Sequence, residues 1–277
     1  MPGFLRLARP LNCVMSAVGV VIGGLVAVGA DAWGTYAWPL FYASLAAALC
    51  TAGGNALNDL FDRETDRVNH PDRPLVTGAL SVGEARSYTV GAFLAAAVLG
   101  GVAAPLCFVI VLLNAGLMYA YEAGLKRRGA PGNLVIAYLV GSLFLFAGFA
   151  VFRGDPTPLF RSGILALLAF LTTVGREITK DIEDMAGDVD RRTLPQRIGA
   201  KPAGRVAAAA LVAGSLLSVV PWMANVLPWP YLLIVLPADG MFIYAAFYSA
   251  ARPTRSQRVT KYAMVVALIA FLAGGLL

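Results

Sequence analysis

The sequence is poor in charge. Only 14% of its 277 residues are Asp, Glu, Lys or Arg, whereas 58% are hydrophobic. A soluble domain carries about 25% charged residues, so this composition excludes an ordinary soluble protein and indicates a chain that crosses a membrane several times. The basic residues are scattered between apolar runs and form no recognisable nucleic-acid-binding module, so no nucleic-acid partner is expected.

Histidine and cysteine are also scarce. His70 is the only histidine, and the three cysteines, Cys13, Cys50 and Cys107, lie inside apolar runs. A zinc site usually draws several ligands from these two residue types, and a disulfide framework needs paired cysteines. We therefore expect neither, and we interpret the cysteines as small packing residues.

Long apolar runs dominate the rest of the chain. Nine of them reach the length of about 17–25 residues that a bilayer core requires. They predict an all-α membrane protein with spans at 11–30, 37–57, 85–104, 105–121, 132–152, 159–180, 201–220, 229–250 and 259–277.

Lys and Arg are distributed unequally between the two sides that these spans define. Alternating the connections between the sides places 20 of the 22 on the side of the amino terminus and leaves only Arg153 and Arg161 on the other. Because short cytoplasmic connections carry an excess of Lys and Arg, we expect a multi-pass cell-membrane protein with a cytoplasmic amino terminus.

Eleven of the 16 acidic residues lie in two short segments, 59–72 and 177–190. In the first segment, a helix that turns about 100° per residue would place four side chains within about 60° of each other: Asn55, Asp59, Asp62 and Asp66. Carboxylates at this spacing repel each other, so the pattern indicates a bound cation.

The second segment repeats this pattern. A helix would again bring four acids within about 60°: Glu177, Asp181, Asp184 and Asp188. Both segments follow spans that end on the predicted cytoplasmic side, so we expect the two acidic stripes to meet. We refer to residues 55–74 as motif one and to residues 176–190 as motif two.

Six aspartates are the predicted metal ligands and catalytic residues: Asp59, Asp62, Asp66, Asp181, Asp184 and Asp188. A ligand set made only of oxygens favours a hard ion, first of all Mg²⁺. Magnesium commonly shares its ligand shell with phosphates, so two facing acidic groups indicate a bound diphosphate. The neighbouring basic residues are expected to contact the remaining phosphate oxygens: Arg63, Arg67, Arg73, Arg176 and Lys180.

At these residues the chain resembles the UbiA superfamily of intramembrane prenyltransferases. Motif one matches the signature N-D-x-x-D-x-x-x-D at Asn58, Asp59, Asp62 and Asp66, followed by Arg73-Pro74. Motif two matches D-x-x-D-x-x-x-D at Asp181, Asp184 and Asp188, preceded by Lys180. The resemblance covers the whole chain and includes Arg9-Pro10-x-Asn12 at the start of the first span.

The resemblance implies a single prenyltransferase domain over residues 1–277, with nine transmembrane helices around a central cavity beneath a cytoplasmic-side cap. It implies an isoprenyl diphosphate donor, two bridging Mg²⁺ ions and, within the membrane lipid, a lipophilic acceptor that captures an allylic cation. Further diphosphate contacts are implied at Asn12, Asn55, Asn58 and Lys126.

The acceptor is predicted from the residues and spacing of the two motifs. Both are similar to the archaeal ether-lipid branch of the family, which implies transfer of a geranylgeranyl group to the hydroxyl of geranylgeranylglyceryl phosphate. The phosphate of that acceptor requires a second anion site, expected at Arg67, Arg73 or Arg192. An aromatic acceptor of the 4-hydroxybenzoate type, used in quinone synthesis, stays open.

A membrane transporter is the remote alternative from another class of protein. Intramembrane acids often mark the path of an ion through a transporter. Here the acids gather at one membrane face and no inverted repeat is visible, which favours the enzyme.

Overall fold

The computed structural model describes residues 3–185 and 192–277, and within them every regular element is helical. The α-helices are α1 (Gly3–Ala8), α2 (Pro10–Val28), α3 (Trp33–Phe61), α4 (Arg63–Asn69), α5 (Pro74–Thr77), α6 (Val82–Ala103), α7 (Pro105–Ala123), α8 (Ala130–Val151), α9 (Thr157–Asp184), α10 (Leu194–Ile198), α11 (Ala200–Leu217), α12 (Val220–Met223), α13 (Pro230–Tyr248) and α14 (Pro253–Leu276). A 3₁₀ helix, Leu125–Arg128, connects α7 to α8.

In these described ranges nine stretches are long and apolar enough to cross a membrane, which confirms the predicted all-α, nine-span fold. They are α2, α3, α6, α7, α8, α9, α11 together with α12, α13, and α14. The predicted boundary between the third and fourth spans is correct: Ala104 is extended and Pro105 starts α7. Proline explains this break because its ring prevents the preceding residue from continuing a helix.

Consecutive spans pack in antiparallel pairs. Gly141 of α8 lies against Ala166 of α9, and Gly148 near the end of α8 lies against Pro158 near the start of α9. One end of the bundle therefore carries the amino terminus, the ends of α3 and α9 and the short helices α4, α5 and α10. We call it the motif end, and the other the far end.

Small residues allow the helices to approach closely, as membrane helices commonly require. A Cβ atom on Gly23 of α2 would lie 3.1 Å from the Cα of Phe144 in α8, and one on Gly141 would lie 2.7 Å from the carbonyl oxygen of Ala166. The close α8–α9 pair matters for the site, because the motif ends of these two helices contact each other through side chains.

Candidate active site

Motif one begins inside a span and leaves it. The helix α3 continues beyond its predicted end at residue 57 to Phe61, so Asn58 and Asp59 belong to the spanning helix itself. The predicted continuous helix is interrupted at Asp62, which ends α3 and precedes α4. Hydrogen bonds from Asp62 N to Asn58 O (2.9 Å) and from Asp66 N to Asp62 O (2.7 Å) nevertheless continue across the junction. Asp62 therefore bonds to both helices through its backbone.

Two arginines converge on Asp59, whose side chain is only 1% exposed. Arg9 donates to Asp59 Oδ1 at 2.5 Å and to Asn58 Oδ1 at 2.9 Å, and Arg73 also donates to Asp59 Oδ1. Arg73 lies 3.9 Å from Asp66 Oδ2 as well, so one guanidinium links the first and last aspartates of motif one. The other oxygen of Asp59, Oδ2, is buried and accepts no hydrogen bond from the described residues.

Lys126 forms the second part of the cluster. Its ammonium lies 2.5 Å from Asp62 Oδ1 and 2.5 Å from Glu122 Oε2. Asn58 donates to Asp62 Oδ2 at 2.8 Å and to Glu122 Oε1 at 2.9 Å, which closes a ring of four side chains. The ring fixes the middle aspartate of motif one against the connection between α7 and α8.

The pKa of Asp66 shows how crowded the carboxylates are. Burial raises the pKa of Asp66, and the negative charges of Asp59 and Asp62 raise it further, whereas Arg73 and His70 act in the opposite direction. A site that disfavours ionisation of its own carboxylates is one in which an added cation would be stabilised.

Motif two lies at the motif end of α9, which continues beyond its predicted end at residue 180 to Asp184. Asn133, in the first turn of α8, donates to Asp181 Oδ2 at 2.8 Å. Asp184 is exposed at the last turn of α9. Asp188 lies outside the described residues.

The connection between α7 and α8 joins the two motifs. It carries Lys126, which contacts motif one, and it leads into the first turn of α8, where Asn133 contacts motif two. Arg192 N donates to Arg127 O at 2.9 Å, so the chain that follows motif two is fixed to the same connection. The two motifs thus occupy one end of the bundle on either side of a shared segment.

The remaining predicted contacts divide into two groups. Asn55 donates to Ala8 O at 2.8 Å and accepts from Asn12 at 3.4 Å, close to the Arg9 side of the cluster. Arg67 instead pairs with Glu64 at 2.9 Å on the exposed face of α4, and Lys180 is exposed on α9. Arg63 is half-buried at the start of α4.

Three residues of the site were not predicted as contacts: Arg9, Glu122 and Asn133. Arg9 stood only in the family resemblance, and its backbone has φ 52° immediately before Pro10, which turns the chain from α1 into α2. Glu122 had a readable signal, because an acid at the end of an apolar run four residues before a lysine fits an i, i+4 ion pair. Asn133 had none, since its role depends on how α8 meets α9.

Two cavities lie in the bundle on the far-end side of this cluster. The larger, about 410 Å³, lies between α2, α3, α8, α9, α11, α13 and α14, and the smaller, about 350 Å³, between α2, α3, α7 and α8. Five residues line both: Asn12, Ser16, Thr51, Val140 and Leu143. Thr51 donates to Ser16 Oγ at 2.7 Å, so a polar contact lies in the shared wall.

The residues present fit a hard metal ion. Among the described residues no three His, Cys, Asp or Glu side chains already gather as a preformed metal cage, and Asp188 lies outside that range. However, Asp59 presents a buried carboxylate oxygen without a partner among the described residues, and the side-chain oxygens of Asn58, Asp62, Asp66 and Glu122 belong to the same cluster. Magnesium typically binds through one or two carboxylates together with substrate phosphates, so a complete protein cage is not required.

The described residues form a helical bundle with two acidic motifs at one end and apolar cavities beneath them, an arrangement suited to an intramembrane enzyme whose substrate has an anionic group and an apolar chain. The model of the UbiA prenyltransferase family matches residues 16–276, and the chain belongs to this family. It is therefore a prenyltransferase of the membrane.

The chain is also similar to individual proteins of this family. The chain is 40% identical over 278 residues to the digeranylgeranylglyceryl phosphate synthase of Methanopyrus kandleri, covering 99% of each chain. A solved structure described as digeranylgeranylglyceryl phosphate synthase is 31% identical, with a TM-score of 0.85 over 99% of this chain and 98% of the other. A UbiA homolog from Archaeoglobus fulgidus bound to GPP and Mg²⁺ has the same fold at 18% identity, with a TM-score of 0.67 over 99% and 98% of the two chains.

Proposed function

We propose that this protein is a digeranylgeranylglyceryl phosphate synthase of archaeal ether-lipid synthesis. It would transfer a geranylgeranyl group from geranylgeranyl diphosphate to the free hydroxyl of geranylgeranylglyceryl phosphate, and residues 1–277 would form one catalytic domain. The observation that carries the proposal is 40% identity over essentially the whole length of a relative of that name. The two adjacent apolar cavities support it, because this reaction joins two isoprenoid substrates.

The acidic cluster is the proposed diphosphate site. Mg²⁺ would be held by Asp59, Asp62 and Asp66 of motif one and by Asp181, Asp184 and Asp188 of motif two. When bound, it neutralises the diphosphate and so stabilises it as a leaving group. The proposal of two ions follows from the two motifs, and the Archaeoglobus fulgidus homolog with GPP and Mg²⁺ supports the choice of metal.

The basic and amide side chains would orient the diphosphate. Arg9, Arg73 and Lys126 already lie among the carboxylates and can exchange these partners for phosphate oxygens. The other proposed contacts are Asn12, Asn55, Asn58, Arg63, Arg67 and Lys180. As the bond between the allylic carbon and the diphosphate oxygen breaks, its electron pair leaves with the diphosphate, and these donors stabilise the growing charge.

The acceptor hydroxyl then completes the reaction. Its oxygen forms the ether bond to the allylic carbon, and its proton is released. The apolar walls beneath the cluster, among them Leu143 and Phe144, exclude water that would otherwise capture the cation. The motif end would face the cytoplasm, as the distribution of Lys and Arg indicates.

Purified protein given geranylgeranyl diphosphate tests the function, with geranylgeranylglyceryl phosphate or 4-hydroxybenzoate offered in parallel. We expect an ether-linked product from the lipid acceptor only, lost in EDTA and restored by Mg²⁺. Product from 4-hydroxybenzoate alone would overturn the proposed acceptor and leave the diphosphate site in place.

A further inference from the structure

Two cations that the acidic cluster does not use line the larger cavity: Arg176 of α9 and Lys261 of α14. Motif two had suggested Arg176 as a diphosphate contact. Its guanidinium instead pairs with the adjacent Glu177 at 2.6 Å, and its side chain borders the cavity. Lys261 was not predicted to have any role, because a single lysine in the last span has no motif around it.

The helix register shows where Lys261 lies. Ser256 of α14 donates to Ala245 O of α13 at 2.7 Å. Since the two helices are antiparallel, Lys261 lies opposite Gly240, at the depth of Asp239. A helical side chain leans toward the amino terminus of its helix, so Lys261 leans toward the motif end.

Arg176 approaches from the other direction. Gly214 of α11 packs on Thr172 of α9, and Ser218, one turn farther from the motif end, donates to Asp239 Oδ2 at 2.6 Å. Arg176 therefore lies about two turns nearer the motif end than Asp239 does. The amino terminus of α9 is at the far end, so Arg176 leans into the bundle, toward Lys261.

The charge balance of this cavity differs from that of the acidic cluster. Its charged lining residues are Arg176, Lys261 and Asp239, and Glu177 pairs with Arg176, so the cations and carboxylates here are equal in number and Lys261 has no ion pair among the described residues. The cluster instead places four carboxylates, Asp59, Asp62, Asp66 and Glu122, around three cations. The acidic cluster has a net negative charge and therefore requires metal ions before it can bind an anion. The part of the larger cavity beside Arg176 and Lys261 has no such negative excess and does not require them.

The rest of the larger cavity is suited to a hydrocarbon chain. Its walls are mainly apolar, and they include Met15 of α2 and Val265 of α14, each 45% exposed on the surface of the bundle. The cavity is thus open between α2 and α14 toward the space that lipid occupies in a membrane. An amphiphile with one chain and one anionic group fits this combination.

We propose that Arg176 and Lys261 bind the phosphate monoester of the lipid acceptor, whose isoprenoid chain lies in the larger cavity. This inference rests on the proposed function. Asn12, which lines both cavities, donates to Asn55 close to the acidic cluster. This site is an alternative to the one predicted at Arg67, Arg73 or Arg192: Arg67 lies on the exposed face of α4, and Arg73 lies within the acidic cluster, where it is a proposed contact of the donor diphosphate.

Binding in EDTA tests this site separately from the metal site. The dissociation constants of geranylgeranylglyceryl phosphate and of the phosphate-free geranylgeranylglycerol are measured for wild type, Lys261→Gln and Arg176→Gln. Arg258→Gln is the matched control, since Arg258 is exposed on the same helix and lines a separate surface hollow. We expect wild type to bind the phosphate ligand without Mg²⁺.

In Lys261→Gln and Arg176→Gln the affinity for the phosphate ligand should fall about tenfold or more, as the loss of one charge-assisted contact implies. The affinity for the phosphate-free ligand should change by less than about twofold, and the control should bind both as wild type does. Unchanged binding of the phosphate ligand, or an equal loss of both ligands, overturns this site. If the wild-type protein still turns over geranylgeranylglyceryl phosphate in such a case, the proposed function stands and only the Arg176–Lys261 site is wrong. If the wild-type protein does not turn it over, the site and the proposed function are both overturned.

Discussion

Asp59 is the residue at which the opposing charges of the site meet. It is buried, it accepts from Arg9 and Arg73 through one oxygen, and its second oxygen has no partner in the described chain. A buried acceptor without a partner costs free energy, so its retention indicates a ligand that satisfies it. The sequence predicted Asp59 as a metal ligand and Arg73 as a diphosphate contact, but not Arg9 and not the bonds from both arginines to Asp59, because the two arginines come from the α1–α2 junction and from the segment before α5.

Asp59→Asn should therefore reduce kcat by about a hundredfold or more, because it removes a charge that holds the metal and keeps the side-chain shape. Turnover with saturating substrates measures the loss, and the thermal unfolding temperature in detergent shows whether the variant is folded. Glu64→Ala is the control: Glu64 is exposed on α4 and contacts only Arg67 among the described ion pairs. A fully active Asp59→Asn, or an inactive but folded Glu64→Ala, would contradict the assignment of motif one.

Glu122 acts through its neighbours. It orients both Lys126 and Asn58, and it adds a fourth negative charge to the cluster. In Glu122→Gln the amide oxygen can still accept from Asn58, but the charge is lost. We expect the Mg²⁺ concentration for half-maximal activity to rise about tenfold, as is common when a residue supporting metal ligands is changed.

The measurement is activity against Mg²⁺ concentration at fixed substrate. Activity should recover at high Mg²⁺, a recovery that a general loss of structure would not give. Glu84→Gln serves as the control, since Glu84 caps α6 at the same end of the bundle and glutamine can keep that role. An unchanged Mg²⁺ dependence in Glu122→Gln would exclude Glu122 from the metal site.

At the scale of elements, the spans were predictable because their signal is length and hydrophobicity, which a bilayer imposes on each helix independently. The ends of the spanning helices were less predictable. The helices α3 and α9 both continue past the apolar run because their polar extensions are anchored by Arg9, Lys126 and Asn133, residues from other parts of the chain. The break at Asp62 likewise had no local signal such as glycine or proline.

The α8–α9 contact positions motif two, and at Gly141 the backbones of the two helices approach closely. Gly141→Ala would place a Cβ atom 2.7 Å from the carbonyl oxygen of Ala166, so the two backbones must separate. We expect a loss of about 1–3 kcal/mol of stability, typical of an overpacked core. Because Asn133 and Asp181 bond across the same pair of helices, kcat should fall as well.

Thermal unfolding in detergent and turnover at a temperature below the transition measure the two effects. Gly163→Ala on α9 is the matched control, since a Cβ atom there meets nothing within 4 Å. Alanine is a better helix former than glycine, so this variant should lose no stability. Equal effects of the two substitutions would show that the contact is not what holds α8 and α9 together.

At the scale of the whole molecule, the count of spans and the placement of both motifs at one end followed from the sequence. The cavities did not. Each cavity is bounded by side chains from at least four helices. The hydrophobic periodicity of one helix does not show how it packs against the others, so it cannot predict a cavity between them. For this reason the sequence does not predict that Arg176 and Lys261 form a pair. They are 85 positions apart, yet both line the larger cavity.

Orientation in the membrane follows from the same global pattern. In the sequence, the connections assigned to the side of the amino terminus hold 20 of the 22 Lys and Arg residues, so the motif end should face the cytoplasm. Single cysteines introduced at Thr65 and at Asp31 report on the two ends, since both positions are exposed and lie outside the spanning helices. The native Cys13, Cys50 and Cys107 are first replaced, to give a background without thiols.

With a membrane-impermeant maleimide added to intact bacterial cells expressing the protein, Asp31→Cys should be labelled and Thr65→Cys should not. After permeabilisation both should be labelled, which controls for thiol accessibility. The reverse pattern would place the acidic cluster outside the cell. It would contradict the charge argument, which places Asp59 and Asp181 on the cytoplasmic side.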